Sequence, residues 1–299
     1  MAKKRSDVYF MREINPEKLI ELYNCIPMKF TGKGDIIVKV HTGEAGNKNY
    51  LKPELLGDLI DDINGIVVET NTAYNGSKRR TNEDHDQLLK DHGWDRFKTD
   101  ILDRNGDFSL EIPNGLVLKR NYVGNYMQDY HNCVVISHFK AHKMGGYGGA
   151  LKQLSIGFAS SRGKKNIHGY GNLERGEENL ANIKSKNQDA FIKAMADAAS
   201  SIVKYFKGNM IFINIMKDIS TSCDCDPNAP EPKMKDIGML ISLDPVAIDS
   251  ACLNLLYDSD DEKKQEVIDV IESKKGVNII DYAVELGIGN NKYKLIEVE

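Results

Sequence analysis

Short apolar runs alternate along this chain with longer segments in which apolar residues recur at helical spacing. The runs have the length and β-branched content of buried strands, and they cover residues 36–40, 65–69, 134–137, 210–215 and 237–243. Helical spacing or a helix-start signal marks residues 53–63, 81–93, 187–207, 261–275 and 278–286, a further helix starts at Asp244-Pro245, and residues 293–298 suit an edge strand. This alternation predicts an α/β fold with a largely parallel sheet flanked by helices.

Most of the predicted strands are followed at once by polar residues. The five clusters begin at His41, Thr70 and His138, in the Cys223-Asp224-Cys225 stretch, and at Asp244. In open α/β sheets, ligands bind outside the carboxyl ends of the strands. If these strands are parallel and adjacent, the clusters meet in one crevice. We therefore expect one module over residues 1–299, and the pattern leaves open whether two lobes form a central cleft.

Residues 138–168 contain no Asp or Glu but hold three histidines and six lysines or arginines, in a chain with 44 acidic residues. This local positive charge favours a small anionic ligand over a polyanion. Successive backbone amides in a glycine turn can bind an anion, although a tight turn without a ligand is the alternative. The predicted anion-binding residues are Gly145, Gly146, Gly148, Gly149, Lys152 and Lys164, together with Asn71 from the polar stretch after residues 65–69.

Histidines and cysteines predict a divalent-metal site at the same crevice. His138 and His142 lie four residues apart, and Cys223 and Cys225 would supply soft thiolate ligands. His168 is a third histidine of the basic window and completes the candidate ligand set. The alternatives are histidines that are only hydrogen-bonded and cysteines that are free thiols in a loop.

His41 and Glu44 are the predicted proton-transfer residues. A histidine base requires a partner that orients its ring, and a carboxylate three residues further along the chain is a candidate for this role. The alternative is that His41 simply caps the turn in which it lies.

Composition restricts the partners and the compartment. A net charge of −4 and a pI near 6.0 argue against nucleic-acid binding. No apolar stretch approaches the length of a membrane span, and the N-terminal residues lack the apolar region of a signal peptide. Five cysteines, an odd number, without a secretory leader predict reduced thiols in the cytoplasm.

Five segments together resemble domain-of-unknown-function family 362, whose members are usually described as uncharacterised Fe–S centre proteins. The segments are VKVHTGEAGNKNYLKPEL, ETNTAYNGSKRRTNEDH, SHFKAHKMGGYGGALKQLSIGFASSRGKKNIHG, CDCDPNAP and DIGMLISLDPVAIDSA, which run from Val38 to Ala251. The resemblance implies an α/β core of unknown activity, and many members carry ferredoxin-type clusters inserted after the segment that matches residues 163–169. A weaker similarity is with nickel-dependent lactate racemase-like proteins.

The chain departs from the family pattern where relatives carry that insert. Residues 169–186 contain no cysteine, so we expect a surface loop there and no ferredoxin-type 4Fe–4S cluster in this chain. The core motifs are present without the insert, which indicates that they have a role of their own.

Three classes of function fit these features. The first is a cytoplasmic enzyme that binds a small anionic substrate or cofactor beside a His/Cys metal site. The second is a non-catalytic protein that carries a metal or cofactor, or that docks a redox partner. The third is a structural α/β module whose site has decayed together with the lost insert. An enzyme requires a closed pocket with a perturbed base, whereas a carrier requires exposed, exchangeable thiols.

Overall fold

The fold is known from a computed structural model that describes residues 5–28, 30–182 and 185–299. Within these ranges, one eight-stranded sheet is accompanied by two short sheets of two strands each. In chain order the strands are β1 (Ser6–Met11), β2 (Ile36–Lys39), β3 (Ile66–Glu69), β4 (Thr99–Ile101), β5 (Asp107–Glu111), β6 (Arg120–Gly124), β7 (Asn132–His138), β8 (Lys140–His142), β9 (Gly146–Gly148), β10 (Met210–Met216), β11 (Gly238–Ser242) and β12 (Tyr293–Glu297).

Several of the described helices begin at a side chain that caps a free backbone amide, as at Thr81 and Asp244. None of the helices in the described ranges is long and apolar enough to span a lipid bilayer. In chain order they are α1 (Pro16–Asn24), α2 (Pro53–Asp62), α3 (Asn82–Asp91), α4 (Ala150–Lys152), α5 (Ser161–His168), α6 (Leu173–Asn182), α7 (Gln188–Phe206), α8 (Pro245–Asp258), α9 (Lys264–Ser273) and α10 (Asn278–Glu285), and α4 continues into a π-helical turn at Gln153–Gly157.

The large sheet is mostly parallel, as the alternation of strands and helices predicts. Its strand order is β12-β1-β11-β10-β7-β2-β3-β4, and β10, β7, β2, β3 and β4 all run in one direction. β11 is antiparallel to both of its neighbours. The carboxyl end of β11 therefore lies at the opposite edge of the sheet, and the Asp244 cluster cannot join the other four. There Asp244 caps α8 by accepting hydrogen bonds from the amides of Val246 and Ala247.

The central strands are buried on both faces, as is typical of parallel sheets. Alternate residues of β7 contribute to two hydrophobic cores: Val135 faces the core formed by α7 and α8, and Ile136 faces the core formed by α1 and α2. Phe212 and Ile213 of β10 alternate in the same way. This double burial fixes the strand ends from which the polar clusters extend.

The expectation of a surface loop over residues 169–186 is wrong, because α6 covers Leu173–Asn182. This helix packs closely on α5. A Cβ at Gly176 would lie 1.8 Å from the carbonyl oxygen of Lys165, and Asn179 Nδ2 donates to the carbonyl of His168 at 2.6 Å. The helix was missed because a glycine contact and a hydrogen bond replace the large apolar residues that mark a buried face. Residues 183–184 of the predicted loop lie outside the described ranges.

Candidate functional site

Four of the five polar clusters come together at the carboxyl ends of β2, β3, β7 and β10, around two adjoining spaces. Tyr74, His142 and Cys225 line both spaces and form the wall between them. The outer cavity has a volume of about 330 Å³ and is lined by Glu44, Ala45, Tyr74, Asn75, Gly76, Ser77, Lys78, His142, Lys143, Met144, Ser222, Cys223, Cys225, Asp226 and Pro227. The inner chamber has a volume of about 40 Å³ and is lined by Lys39, His41, Glu69, Thr70, Thr72, Tyr74, Arg79, His142, Lys152, Gln153, Ile156, Gly157, Lys164, His168, Leu180 and Cys225.

The inner chamber carries more positive than negative charge. Among the described residues, its lining includes Lys39, Arg79, Lys152 and Lys164 but a single carboxylate, that of Glu69. Lys39 Nζ lies 2.6 Å from one Glu69 oxygen, and Arg79 Nη1 lies 3.8 Å from the other. Although burial alone would raise the pKa of Glu69, Lys39 holds it well below the usual range. The Glu69 carboxylate is thus already paired with Lys39 and Arg79, and neither Lys152 nor Lys164 forms an ion pair with an acidic residue in the described ranges.

Lys152 extends from the end of α4 and is the lysine best placed to meet a ligand. It lines the inner chamber and also a neighbouring space of about 30 Å³ on the side of His138. No described residue forms a hydrogen bond or an ion pair with its ammonium group. Burial lowers its pKa to about 8, Asp224 opposes this shift, and the nearby Arg79 and Lys39 act in the same direction as burial. Lys152 is therefore a partly buried cation without a direct hydrogen-bond or ion-pair partner among the described residues, and the carboxylates of Asp224 and Glu69 act on it from beyond ion-pair distance.

Lys164 and Asn71 were predicted to bind the anion directly, and the structure gives them other partners. The Lys164 ammonium donates to Thr70 Oγ1, to the Asn71 carbonyl and to the Ala159 carbonyl at 2.6–2.8 Å, so none of its three hydrogens is free. The Asn71 side chain bonds to Asn82 and His85 instead of lining the chamber. Lys164 can still contribute charge at short range, but Lys152 is left as the direct donor.

His41 supplies a second donor beside Lys152. Its Nδ1 accepts a hydrogen bond from the Gly43 amide at 3.1 Å, which leaves the proton on Nε2. Nε2 is buried and has no partner among the described residues. Burial holds the pKa of His41 well below its ordinary value, with Arg79 acting in the same direction. The ring is therefore neutral and presents an unused N–H group.

Glu44 does not orient His41, so the predicted base and orienter are not paired. Its carboxylate accepts hydrogen bonds from Ser77 Oγ and the Lys78 amide and forms an ion pair with Arg79 at 3.3 Å. These contacts fix the loop after β3 to the loop after β2. Glu44 therefore shapes the wall of the outer cavity.

His142 lies at the end of β8, between the two spaces. Its Nδ1 accepts hydrogen bonds from the amides of Met144 at 3.2 Å and Gly145 at 2.8 Å. The proton of the neutral ring is consequently on Nε2, which lies 3.8 Å from Cys225 Sγ. Burial and the nearby Lys152 hold the pKa of His142 well below its ordinary value. The backbone of the glycine turn thus determines that Nε2, and not Nδ1, of His142 is directed toward Cys225 Sγ.

Cys223 and Cys225 are joined in a disulfide, with Cα atoms 5.3 Å apart, so the expectation of reduced thiols is wrong for this pair. Cys25, Cys133 and Cys252 are free. The ligand atoms of His142, Cys223 and Cys225 lie within 4.8 Å of one another, so the group could hold a metal ion. Only the reduced pair offers thiolates to a metal.

Asp224, between the two cysteines, anchors their loop to the sheet. Its carboxylate lies 2.7 Å from Lys140 Nζ and 3.0 Å from His138 Nδ1. Burial opposes its charge, but His138 and Lys140 hold the pKa of Asp224 well below the usual range. The position of Asp224 between two cysteines marked it as a candidate site residue, but the sequence could not show that Lys140 and His138 are its partners.

His138 and His168 were predicted to bind the metal, and the structure does not bring them to the His142 group. His138 Nδ1 faces Asp224, and its Nε2 lies 2.6 Å from the carbonyl of Lys217, so both ring nitrogens already face acceptors. His168 lines the inner chamber and donates from Nδ1 to the carbonyl of Lys164 at 2.7 Å. Burial lowers the pKa of His168 to about 4. Its ring is neutral, with its remaining lone pair on Nε2.

The two backbone amides that follow the glycine turn bind an anion, the carboxylate of Asp249. The amides of Ala150 and Leu151 donate to its two oxygens at 2.8 and 3.0 Å. A Cβ at Gly149 would lie 2.6 Å from the same carboxylate, so glycine allows this approach. Asp249 occupies only the amides at the start of α4, whereas Gly148 and Gly149 also line the space of about 30 Å³ beside Lys152. Binding of an external ligand at Gly145, Gly146, Gly148 and Gly149 therefore stays a prediction.

The chain belongs to the family described as domain of unknown function (DUF362), which matches residues 36–254. That range includes both β2 and most of α8, and with them every residue that lines the inner chamber. No curated protein matches the chain.

Two solved structures are similar in fold. One is a Thermotoga maritima protein from a structural genomics consortium, with 14% identity and a TM-score of 0.47 over 80% of this chain and 57% of that chain. The other is the lactate racemase apoprotein from Thermoanaerobacterium thermosaccharolyticum, with 16% identity and a TM-score of 0.42 over 72% of this chain and 52% of that chain. This chain thus spans little more than half the length of either protein. At this level of similarity neither supports an argument about activity.

Proposed function

We propose that this protein is an enzyme that binds a small anionic substrate in the inner chamber, between Lys152 and His41. The observation that carries the proposal is the ammonium group of the partly buried Lys152, which lines the inner chamber beside a buried N–H group, and neither group has a hydrogen-bond or ion-pair partner among the described residues. Burying a charge or a polar hydrogen without a partner is costly. A bound anion would accept from both groups and would remove this cost.

The size of the two spaces limits the substrate. A chamber of about 40 Å³ admits a few atoms, such as one carboxylate group, because a single water already needs roughly 10–15 Å³. The rest of a substrate would extend past Tyr74 into the outer cavity, where Ala45, Met144 and Pro227 offer apolar contacts. Its reacting atoms would then lie beside His142 and Cys225, which face both spaces.

A metal ion is proposed for the reduced form of the site. Two thiolates and one imidazole favour a soft or borderline divalent ion. When bound, such an ion would supply Lewis-acid polarisation at the junction of the two spaces. Cys223 and Cys225 would be its main ligands. Ligation by His142 Nε2 would move the ring proton to Nδ1, where it would oppose the two amides that now donate to that atom.

The alternative, a metal carrier, requires thiols that a partner can reach. Cys223 is only 7% exposed, and Cys225 is partly exposed at the outer cavity. The His-lined chamber behind them favours the enzyme, because small-molecule sites are typically concave pockets with a few convergent polar groups. We retain the cytoplasm as the proposed compartment and a redox partner as a proposed contact.

The proposal is tested by anion-dependent thermal stability. Melting temperature is measured with acetate, oxalate and inorganic phosphate, because a ligand that binds the native state raises it. At least one of these anions should stabilise the wild type, and Lys152→Met should remove that response. Lys152→Met should also raise the melting temperature without added anion, because it removes a charge that folding disfavours, as the pKa that burial lowers to about 8 indicates.

The matched control is Lys204→Met, which removes an exposed lysine at the end of α7. Lys204→Met should respond to the anion as the wild type does. The proposal is overturned if no anion stabilises the wild type, or if Lys152→Met retains the full response.

A further inference from the structure

We propose, independently of the anion site, that Cys223 and Cys225 are a redox-active pair that cycles between disulfide and dithiol by exchange with a small dithiol or disulfide compound. The two residues are disulfide-bonded in the folded chain and both line the outer cavity. Disulfides in a reducing compartment such as the cytoplasm, where we expect this chain, are usually transient and serve catalysis or redox sensing.

The loop that carries the pair is held in place by contacts that do not involve the sulfur atoms. Asp224 is bound to Lys140 and His138, and its carbonyl accepts from the Glu44 amide at 3.1 Å. Asn47 Nδ2 donates to the carbonyls of Cys223 and Asp226. Opening the disulfide therefore leaves the loop fixed, and the two sulfurs stay close enough to form the bond again.

The two sulfurs differ in access. Cys223 is 7% exposed, whereas Cys225 is more exposed and borders both spaces. Exchange begins when a thiolate attacks one sulfur of a disulfide, and access decides which sulfur is attacked. An incoming thiolate would reach Cys225 Sγ through the outer cavity, and Cys223 would leave as the thiolate.

His142 provides a hydrogen-bond donor at this sulfur. The amides of Met144 and Gly145 fix Nδ1 as an acceptor, and Nε2–H is therefore directed toward Cys225 Sγ at 3.8 Å. An N–H group at this place stabilises a developing thiolate more than it stabilises a neutral disulfide. His142 would thus favour the step in which Cys225 attacks or leaves.

The exchange is balanced in atoms and electrons. A small dithiol loses its two S–H hydrogens and forms an S–S bond, while the Cys223–Cys225 bond breaks and each sulfur gains a hydrogen. Two electrons and two protons pass to the protein. A small disulfide reverses the reaction. No other oxidant or reductant is needed.

The first experiment uses the wild-type chain in its folded state. The protein is treated with dithiothreitol without denaturant, freed of reagent, alkylated in denaturant and mapped by peptide mass spectrometry. Cys223 and Cys225 should be alkylated only after the reduction, and oxidised glutathione added to the folded dithiol should restore their disulfide. Cys25→Ser removes a partly exposed cysteine outside the site and should leave the result unchanged.

The second experiment tests the order of attack with single-cysteine variants of the pair. Cys223→Ser leaves Cys225, which should form a glutathione adduct about tenfold faster than Cys223 does in Cys225→Ser, because Cys225 is more accessible. His142→Ala should slow adduct formation at Cys225. Equal rates at the two sulfurs would contradict the proposed order.

The wild-type experiment decides the proposal even if a variant does not fold. A disulfide that yields to dithiothreitol only after denaturation would overturn it, as would thiols that do not re-pair with oxidised glutathione. Neither result depends on anion binding, so the two proposals can fail separately.

Discussion

Lys152 and His41 have their electrostatic states set by burial. Burial lowers the pKa of Lys152 to about 8 and keeps His41 neutral. The first therefore offers a charge and the second a neutral N–H group. Lys164, with its three hydrogens bonded to neutral oxygens and a pKa lowered to about 7, adds charge only in the lower part of the physiological range. Such perturbed groups in an enclosed space are typical of functional sites.

Anion affinity should fall as pH rises through about 8. Lys152 is protonated below its pKa, which burial has lowered to about 8, and it loses its charge above that value. If the charged form is required, affinity falls by about tenfold for each further pH unit. Titration of the melting-temperature response between about pH 7 and pH 9 measures this. An affinity that is constant over this range would show that Lys152 does not bind the anion.

The same lowered pKa affects the stability of the protein without ligand, with the opposite sign. A lysine whose pKa is lowered on folding binds fewer protons in the folded state than in the unfolded state. The free energy of unfolding therefore rises with pH between about 8 and the ordinary lysine pKa of 10.5. A free energy of unfolding that rises with pH, together with an anion affinity that falls with pH, would distinguish this partly buried lysine from a lysine on the surface.

Elements with a strong apolar pattern were predicted well. The five predicted strands and the edge strand over 293–298 are confirmed, as are the helices that correspond to α2, α3, α7, α8, α9 and α10. β1 and the β5–β6 hairpin were not predicted, and β5 in particular is short and largely exposed. The direction of each strand in the sheet could not be predicted either, because a short apolar segment has the same composition in a parallel and in an antiparallel strand. This is why Asp244 was grouped with the wrong edge.

Gly176→Ala should destabilise the packing of α6 on α5. An added methyl group would meet the carbonyl oxygen of Lys165 at 1.8 Å, so the backbone must move. Overpacking of this kind typically costs about 1–3 kcal/mol, which thermal unfolding would detect. Glu174→Ala changes an exposed residue in the first turn of the same helix and should have little effect. Equal melting temperatures for the two variants would mean that α6 does not pack in this position.

At the scale of the whole molecule, the sequence identified which segments meet but not how their atoms are paired. Four of the predicted clusters do converge, because their strands are parallel and lie within one block of the sheet. The carboxylate of Asp249, which binds the amides of Ala150 and Leu151 after the glycine turn, comes from α8 about a hundred residues further along the chain. Pairings of this kind depend on the packing of α4 against α8, and no local pattern encodes them. The sequence could therefore predict candidate ligands by residue type, whereas the hydrogen-bond partners that already occupy His138, Asn71 and Lys164 became known only from the structure.

Metal binding should depend on the redox state of the whole protein. The dithiol form should take up about one equivalent of a soft divalent ion such as Zn²⁺ or Cd²⁺, and the disulfide form should take up none at this site, because a disulfide offers no thiolate. Elemental analysis after gel filtration, on protein prepared in both states, measures this. Cys223→Ser should lose the ion.

Comparison of single-residue variants should show how much each ligand contributes to metal binding. His142→Ala should weaken binding less than Cys223→Ser, because the amides of Met144 and Gly145 oppose the ring tautomer that a metal needs. His131→Ala, which changes an exposed histidine outside the site, should bind the ion as the wild type does. Equal uptake by the oxidised and reduced proteins would place any bound metal elsewhere. In that case the thiol pair would act in electron exchange alone, and Lys152 and His41 would remain the groups proposed to hold a substrate.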